Sequence, residues 1–206
     1  MPAALDNAVE ILDRLVGFQS YSGRPTHGIV GYIQEYLTEQ GVEVTLSYDD
    51  ASERANVYAT IGPEIDGGVV LNGHTDVVSV EGQAWSSDPF TLTRRGDQLF
   101  GRGSVDVKGF LACVLASVPR FKATSLLKPI HIAFSYDEEN GGYGMPVLLE
   151  SMATKTYRPE VVIIGEPTDM KVVTGHKAAL RCEPRSQGQK SIPVIQPKAS
   201  TRSLPR

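Results

Sequence analysis

Six side chains carry the chemistry that this sequence could do: His74, Asp76, Asp106, Glu138, Glu139 and Glu166. Three of the segments that hold them follow continuous apolar runs. VVLNG (69–73) leads into His74-Thr75-Asp76, IHIAF (130–134) into Asp137-Glu138-Glu139, and VVIIG (161–165) into Glu166-Pro167-Thr168. The fourth, Asp106, lies in the glycine-rich stretch FGRGSVDVKG. Carboxylates gathered in one place repel one another and are driven toward protonation unless a cation sits among them. Lys108 and Arg102 are the only nearby bases with an obvious pairing to these acids. Imidazole with carboxylate oxygens is a ligand set that suits zinc, with cobalt accepting the same donors. Two such ions, about 3.5–4 Å apart, could share one carboxylate and activate one water.

The elements that must position these residues are legible as alternating helices and strands. Leu5, Val9, Leu12 and Val16 recur at helical spacing in 4–17, and Ile29, Ile33, Tyr36 and Leu37 do so in 27–40, with Gly41 as a stop. Further helices fit 108–121 and 144–153. VEVTLSY (42–48) and NVYATIG (56–62) alternate like half-exposed strands, whereas the three runs that precede the acidic segments read as strands buried on both faces. The expected fold class is α/β, a mostly parallel sheet covered by helices on both faces. Ligands of open α/β sheets bind beyond the carboxyl ends of the strands, which is where these runs deliver their His and acids.

Each signal has a blander explanation. A histidine after a strand is more often a satisfied polar group than a ligand, and a Glu-Glu pair at a strand end is usually a solvated turn. Three coincident strand ends are harder to obtain by chance. The other histidines are read as structural: His131 as a packed residue inside its strand, and His27 as the neighbour of a helix cap. His176, after a strand expected at KVVT (171–174), is balanced between structural and site-adjacent.

Composition removes several classes. The 206 residues carry 20 Lys and Arg against 24 Asp and Glu, a net charge of −4, which argues against a nucleic-acid partner. Two cysteines, Cys113 and Cys182, exclude a disulfide-stapled scaffold. The start carries Asp6, Glu10 and Asp13 where a secretory leader would be basic and apolar, and the densest apolar run, 110–118, is half a membrane crossing. The expectation is a cytoplasmic protein with no membrane partner. Gly101-Arg102-Gly103 fails as a dinucleotide fingerprint because Asp106 occupies the third glycine's place, and Lys108 precedes rather than follows Gly109, unlike a P-loop. No Gly-x-Ser-x-Gly elbow is present, and Cys113, among apolar helix neighbours, is a poor nucleophile.

GHTDVV (73–78), GRGSVDVKG (101–109), DEE (137–139) and GEPT (165–168), in that order, resemble the dinuclear zinc aminoacylase and metallopeptidase family. QAWSSDPFTLTRRGDQLFGRGS, GFLACVLASVPRF and GHKAALRCE are most similar to its acetylornithine deacetylase branch. The resemblance spans about residues 3–183. It implies two zinc ions, with His74 and Glu166 on the first, Glu139 on the second, and Asp106 bridging them. It implies Asp76 as the partner that orients His74, and Glu138 as the general base. The implied reaction is hydrolysis of a small N-acyl amino acid, N2-acetylornithine, to ornithine and acetate in arginine biosynthesis. A succinyl-diaminopimelate desuccinylase or a general aminoacylase is the alternative within the family, and a non-catalytic metal-binding fragment the alternative outside it.

The resemblance also implies a lid and dimerisation domain and two further histidines, one for the oxyanion and one for the second zinc. No histidine follows His176. Residues 184–206 hold five bases, no acid and four prolines, without apolar periodicity. The expected division is therefore an incomplete catalytic domain over 1–177, the start of a lid over 178–183, and a disordered, off-pattern tail over 184–206. Such a chain, truncated or frame-shifted after about residue 183, is expected to turn over little, and the family's homodimer would lack its interface.

Overall fold

A computed structural model describes residues 2–175, with side chains from Leu5 onward. The expectations for His176 and for the segments after it lie outside the described residues. Contacts divide the chain into a unit of Met1–Pro167 and a second unit from Thr168. The described part of the second unit is irregular, with the Thr168 hydroxyl donating to the Lys171 carbonyl at 2.7 Å. The strand expected at KVVT is therefore absent.

The first unit contains helices α1 (Pro2–Gly17), α2 (His27–Glu39), α3 (Lys108–Lys122) and α4 (Gly144–Ala153). Its strands are β1 (Val44–Tyr48), β2 (Ala55–Ile61), β3 (Val69–His74), β4 (Thr93–Arg95), β5 (Gln98–Phe100), β6 (Ile130–Ser135) and β7 (Val161–Ile164). Five of them form one sheet in the order β1-β2-β6-β3-β7, and β4 and β5 form a separate hairpin.

The sheet is mixed, not mostly parallel. β6–β3 and β3–β7 are parallel, but β1–β2 and β2–β6 are antiparallel. The sequence held a signal for the first of these pairs, since β1 and β2 lie in succession without a helix between them and a short loop favours an antiparallel pair.

Side-chain alternation divides the sheet between two layers. Val57 and Ala59 of β2 and Ile132 and Phe134 of β6 face the core made with α1, α2 and α3. Tyr58, Val70 and Ala133 face α4 through Leu148, Met145 and Met152. The helices thus lie on both faces, as expected. Cover on both sides explains why β2 is almost wholly buried despite its alternating sequence. β7 is the opposite case, since Val161–Ile164 are each about half exposed (49–58%). Its apolar run reads like a central strand, yet among the described residues it forms the edge of the sheet.

A candidate metal centre at three strand ends

The parallel strands β3, β6 and β7 end at the same edge, so register alone brings their following residues together. His74 pairs with Ser135 at the end of β6, and Asn72 with Ile164 at the end of β7. Two glycines make the approach to α3 possible. A Cβ on Gly73 would lie 2.9 Å from Leu111 Cδ2, and one on Gly165 would lie 2.3 Å from the Phe110 ring. The glycine just before His74 and the glycine just before Glu166 therefore both lie against the first turns of α3.

His74 is buried, and each of its nitrogens has a separate task. Nδ1 lies 3.0 Å from the carbonyl oxygen of Asp76 and 3.5 Å from its carboxylate. A carbonyl can only accept, so Nδ1 carries a proton and the lone pair of the neutral ring belongs to Nε2. Nε2 faces Asp106 Oδ1 at 3.1 Å and Glu166 Oε1 at 3.8 Å. Burial works against the charged ring, but the Asp76 carboxylate overrides it and raises the His74 pKa to about 9.

Asp76 is wholly buried and joins the two halves of the site. Its carboxylate accepts from the Ser22 hydroxyl at 2.6 Å, from the Glu138 N–H at 3.0 Å and from the Glu139 N–H at 3.2 Å. Burial favours its neutral form, yet His74 and these donors hold its pKa below the ordinary value. Glu138 and Glu139 lie in the turn that follows β6, as two adjacent acids must if both are to face one site. The turn is made by Asp137 in a left-handed conformation (φ 54°). Its buried carboxylate accepts from Gly23 N–H at 2.7 Å and pairs with the Arg54 guanidinium.

The acidic side chains form two overlapping groups whose potential ligand atoms lie within 4.8 Å of one another. One is His74, Asp106 and Glu139, and the other is His74, Glu138 and Glu166. Burial, together with the neighbouring charge of Asp106, raises the Glu139 pKa. Among the described residues, no Lys or Arg forms an ion pair with Asp106, Glu138 or Glu139. The two bases nearest in sequence are committed elsewhere. The buried Lys108 ammonium donates to the Phe18 carbonyl at 2.8 Å, and Arg102 lies 5.1 Å over the Trp85 ring. One imidazole among crowded carboxylates is a donor set that fits a divalent metal, and two such neighbouring groups suit a dinuclear, zinc-type arrangement.

All six residues singled out in the sequence meet at this edge. His131 does not. It is buried on β6 between Tyr58 and Tyr157, at ring-centroid distances of 5.8 and 5.5 Å. His27 is the first residue of α2. Ser22, Arg54 and the buried role of Asp137 escaped the sequence reading. Asp137 alone gave a signal, its place beside the acidic pair.

A sheet whose ends present one imidazole and several carboxylates defines the zinc-metallopeptidase type of α/β fold. The sequence pattern of peptidase family M20/M25/M40 matches residues 70–199, more than half of the chain, and the chain belongs to that family. Among curated relatives, the acetylornithine deacetylase of Erwinia tasmaniensis is 33% identical over 196 residues, covering 92% of this chain and 50% of that protein. The acetylornithine deacetylase of Pectobacterium atrosepticum is 40% identical over 162 residues, covering 79% and 40%. The chain spans about half the length of the curated relatives it matches, or less. Human carnosine dipeptidase 1 shares the fold with a TM-score of 0.66 at 24% identity, over 79% of this chain and 39% of that one. The family M20 metallo-carboxypeptidase Sso-CP2 from Sulfolobus solfataricus does so with a TM-score of 0.66 at 23%, over 78% and 37%. No described helix is long and apolar enough to cross a membrane.

Proposed function

We propose that this chain supplies a dinuclear zinc centre for hydrolysis of the amide of N2-acetylornithine, giving ornithine and acetate. The observation that carries the reading is His74 Nε2, aimed at Asp106 and Glu166, beside the Asp106, Glu138 and Glu139 carboxylates, with which no described Lys or Arg forms an ion pair. Similarity to acetylornithine deacetylases supports the choice of acyl group and amine.

In this reading His74 and Glu166 hold one zinc, Glu139 holds the other, and Asp106 serves both. Bound zinc would polarise the amide carbonyl and bring the pKa of a water toward neutrality. Glu138 takes a proton from the attacking water and delivers it to the leaving amine. Asp76 keeps the proton of His74 on Nδ1, so that Nε2 stays available, and its bonds to the Glu138 and Glu139 amides fix the turn that carries the base. His27 and His131 stand apart from the centre, so a second imidazole and an oxyanion donor are not supplied from α2 or β6, and turnover by these residues is expected to be slow.

Amine release detected by mass spectrometry, with zinc and with a chelator, tests the reading. Zinc-dependent release of ornithine, faster than release from N-succinyl-diaminopimelate or N-acetylmethionine, supports it. A preference for the succinyl compound would assign the site to a desuccinylase. Zinc uptake without release from any of the three would leave a non-catalytic metal-binding site.

A further inference from the structure

The segment between α1 and α2 is laced to the candidate centre over its whole length. Phe18 receives the Lys108 ammonium on its carbonyl at 2.8 Å. The buried Ser20 donates its hydroxyl to the Thr75 carbonyl at 2.7 Å, and its own carbonyl accepts from Val77 N–H at 2.9 Å. Ser22 N–H donates to the Val77 carbonyl at 3.1 Å, while Tyr21 and Val77 form a parallel bridge. Gly23 N–H ends the series on Asp137. Two elements more than fifty residues apart therefore run side by side, and one side chain of the segment donates a hydrogen bond to the Asp76 carboxylate behind His74. That side chain is Ser22, whose hydroxyl donates to Asp76 Oδ2 at 2.6 Å.

From this arrangement, and resting on the zinc-centre reading above, we infer that Ser22 is a positioning residue that fixes the Asp76 carboxylate, and through it the His74 ring, for metal binding. The geometry gives the reason. Asp76 has Oδ1 and Oδ2 in one plane, and the Glu138 and Glu139 amides contact one oxygen each. Of the two contacts to Oδ2, the shorter is from Ser22, at 2.6 Å against 3.2 Å from Glu139. A short O–H donor to a carboxylate is among the stronger hydrogen bonds. Without it the carboxylate keeps only the Glu138 and Glu139 amides and is held less firmly about its χ2 axis. Oδ1 can then move from its place 3.5 Å from His74 Nδ1, and the ring is left with the Asp76 carbonyl alone to orient it. Partners in the layer behind a metal's ligands commonly alter affinity about 10- to 100-fold when removed, and Ser22 stands one bond farther out, at the low end of that range.

The test is zinc affinity by competition with a chromogenic chelator, with metal-free melting temperature measured alongside. Ser22→Ala is expected to weaken zinc binding about tenfold, and Ser22→Thr, which keeps the hydroxyl, to restore it. Ser20→Ala breaks a bond of the same segment without touching Asp76. It is expected to lower the melting temperature and leave zinc affinity unchanged. Zinc binding by Ser22→Ala as tight as in the unaltered chain would overturn the inference. So would equal weakening by Ser20→Ala and Ser22→Ala, which would reduce Ser22 to general support of the segment. If Ser22→Ala does not fold, Ser22→Cys, similar in size but a weak donor, is read in the same way. Failure of the unaltered chain to take up zinc would overturn the metal-centre reading itself, and this inference with it.

Discussion

Asp76 Oδ1 accepts the backbone N–H of Glu138 at 3.0 Å, while the same residue's carbonyl receives His74 Nδ1 at 3.0 Å. One buried aspartate thus connects the end of β3 to the turn after β6. The ligand end and the general-base end of the proposed centre cannot move independently.

Asp76→Ala is expected to disturb both ends at once. It leaves the Ser22 hydroxyl and the Glu138 and Glu139 amides without the acceptor they share. The expected cost is about 3 kcal/mol or more of stability, with zinc affinity down about 10- to 100-fold. Chemical denaturation and zinc competition measure the two effects. A variant that kept its zinc affinity would remove Asp76 from the site.

The charge on His74 gives a pH dependence whose sign is fixed. Its pKa in the folded, metal-free protein is about 9 against an ordinary 6.5, so its contribution to stability is complete below 6.5 and is lost as the pH rises through about 9. Asp76, whose pKa is lowered, contributes above its ordinary 3.8 and loses that contribution as the pH falls through its lowered value. Zinc requires the neutral ring, so uptake near neutral pH should expel a proton from His74. Calorimetric titrations in buffers of different ionisation enthalpy are expected to give different heats. Identical heats would contradict the assignment of His74 as a ligand.

Glu138→Ala separates the base from the ligands. In the proposed roles it preserves zinc stoichiometry and lowers amine release by about 10²- to 10⁴-fold. Loss of one zinc in this variant would instead make Glu138 a ligand, an outcome its grouping with His74 and Glu166 makes measurable.

Gly165→Ala tests the packing that brings Glu166 to the centre. The new methyl would meet Phe110 at 2.3 Å, a distance that requires β7 or α3 to shift. A destabilisation of about 1–3 kcal/mol is expected, accompanied by weaker zinc binding because Glu166 moves with its strand. Gly31→Ala, inside α2 with nothing within 4 Å of the added atom, is the control, expected to leave zinc binding unchanged and to raise stability by up to about 1 kcal/mol.

Much of this was legible in the sequence because the relevant signals are local. All four helices appear where the sequence reading puts them, within about two residues at their ends, the first two from apolar spacing of three and four. The six site residues were legible because each follows an apolar run or lies in the glycine-rich stretch, and strand ends are where α/β sheets bind ligands. What was not legible depends on contacts between distant segments. VVIIG looks as buried as IHIAF, yet among the described residues it lies at the sheet edge and its side chains join neither core, which leaves it half exposed. Arg54 and Asp137 are 83 residues apart, and Ser22 and Asp76 are 54 apart, so no spacing rule joins either pair. The β4–β5 hairpin is three residues a side, too short for alternation to register. Lys108 was considered as a partner for the acids, but its buried ammonium turns to the Phe18 carbonyl, where burial draws its pKa down to about 7.

The central claim is that His74 and the surrounding carboxylates form a dinuclear zinc site. Titration of the metal-free chain with zinc, followed by direct metal analysis after gel filtration, tests it most directly. The account predicts two zinc ions per chain, one of them weakened by His74→Ala and both by Asp106→Asn. A chain that retained no zinc, or whose uptake survived His74→Ala unchanged, would contradict it.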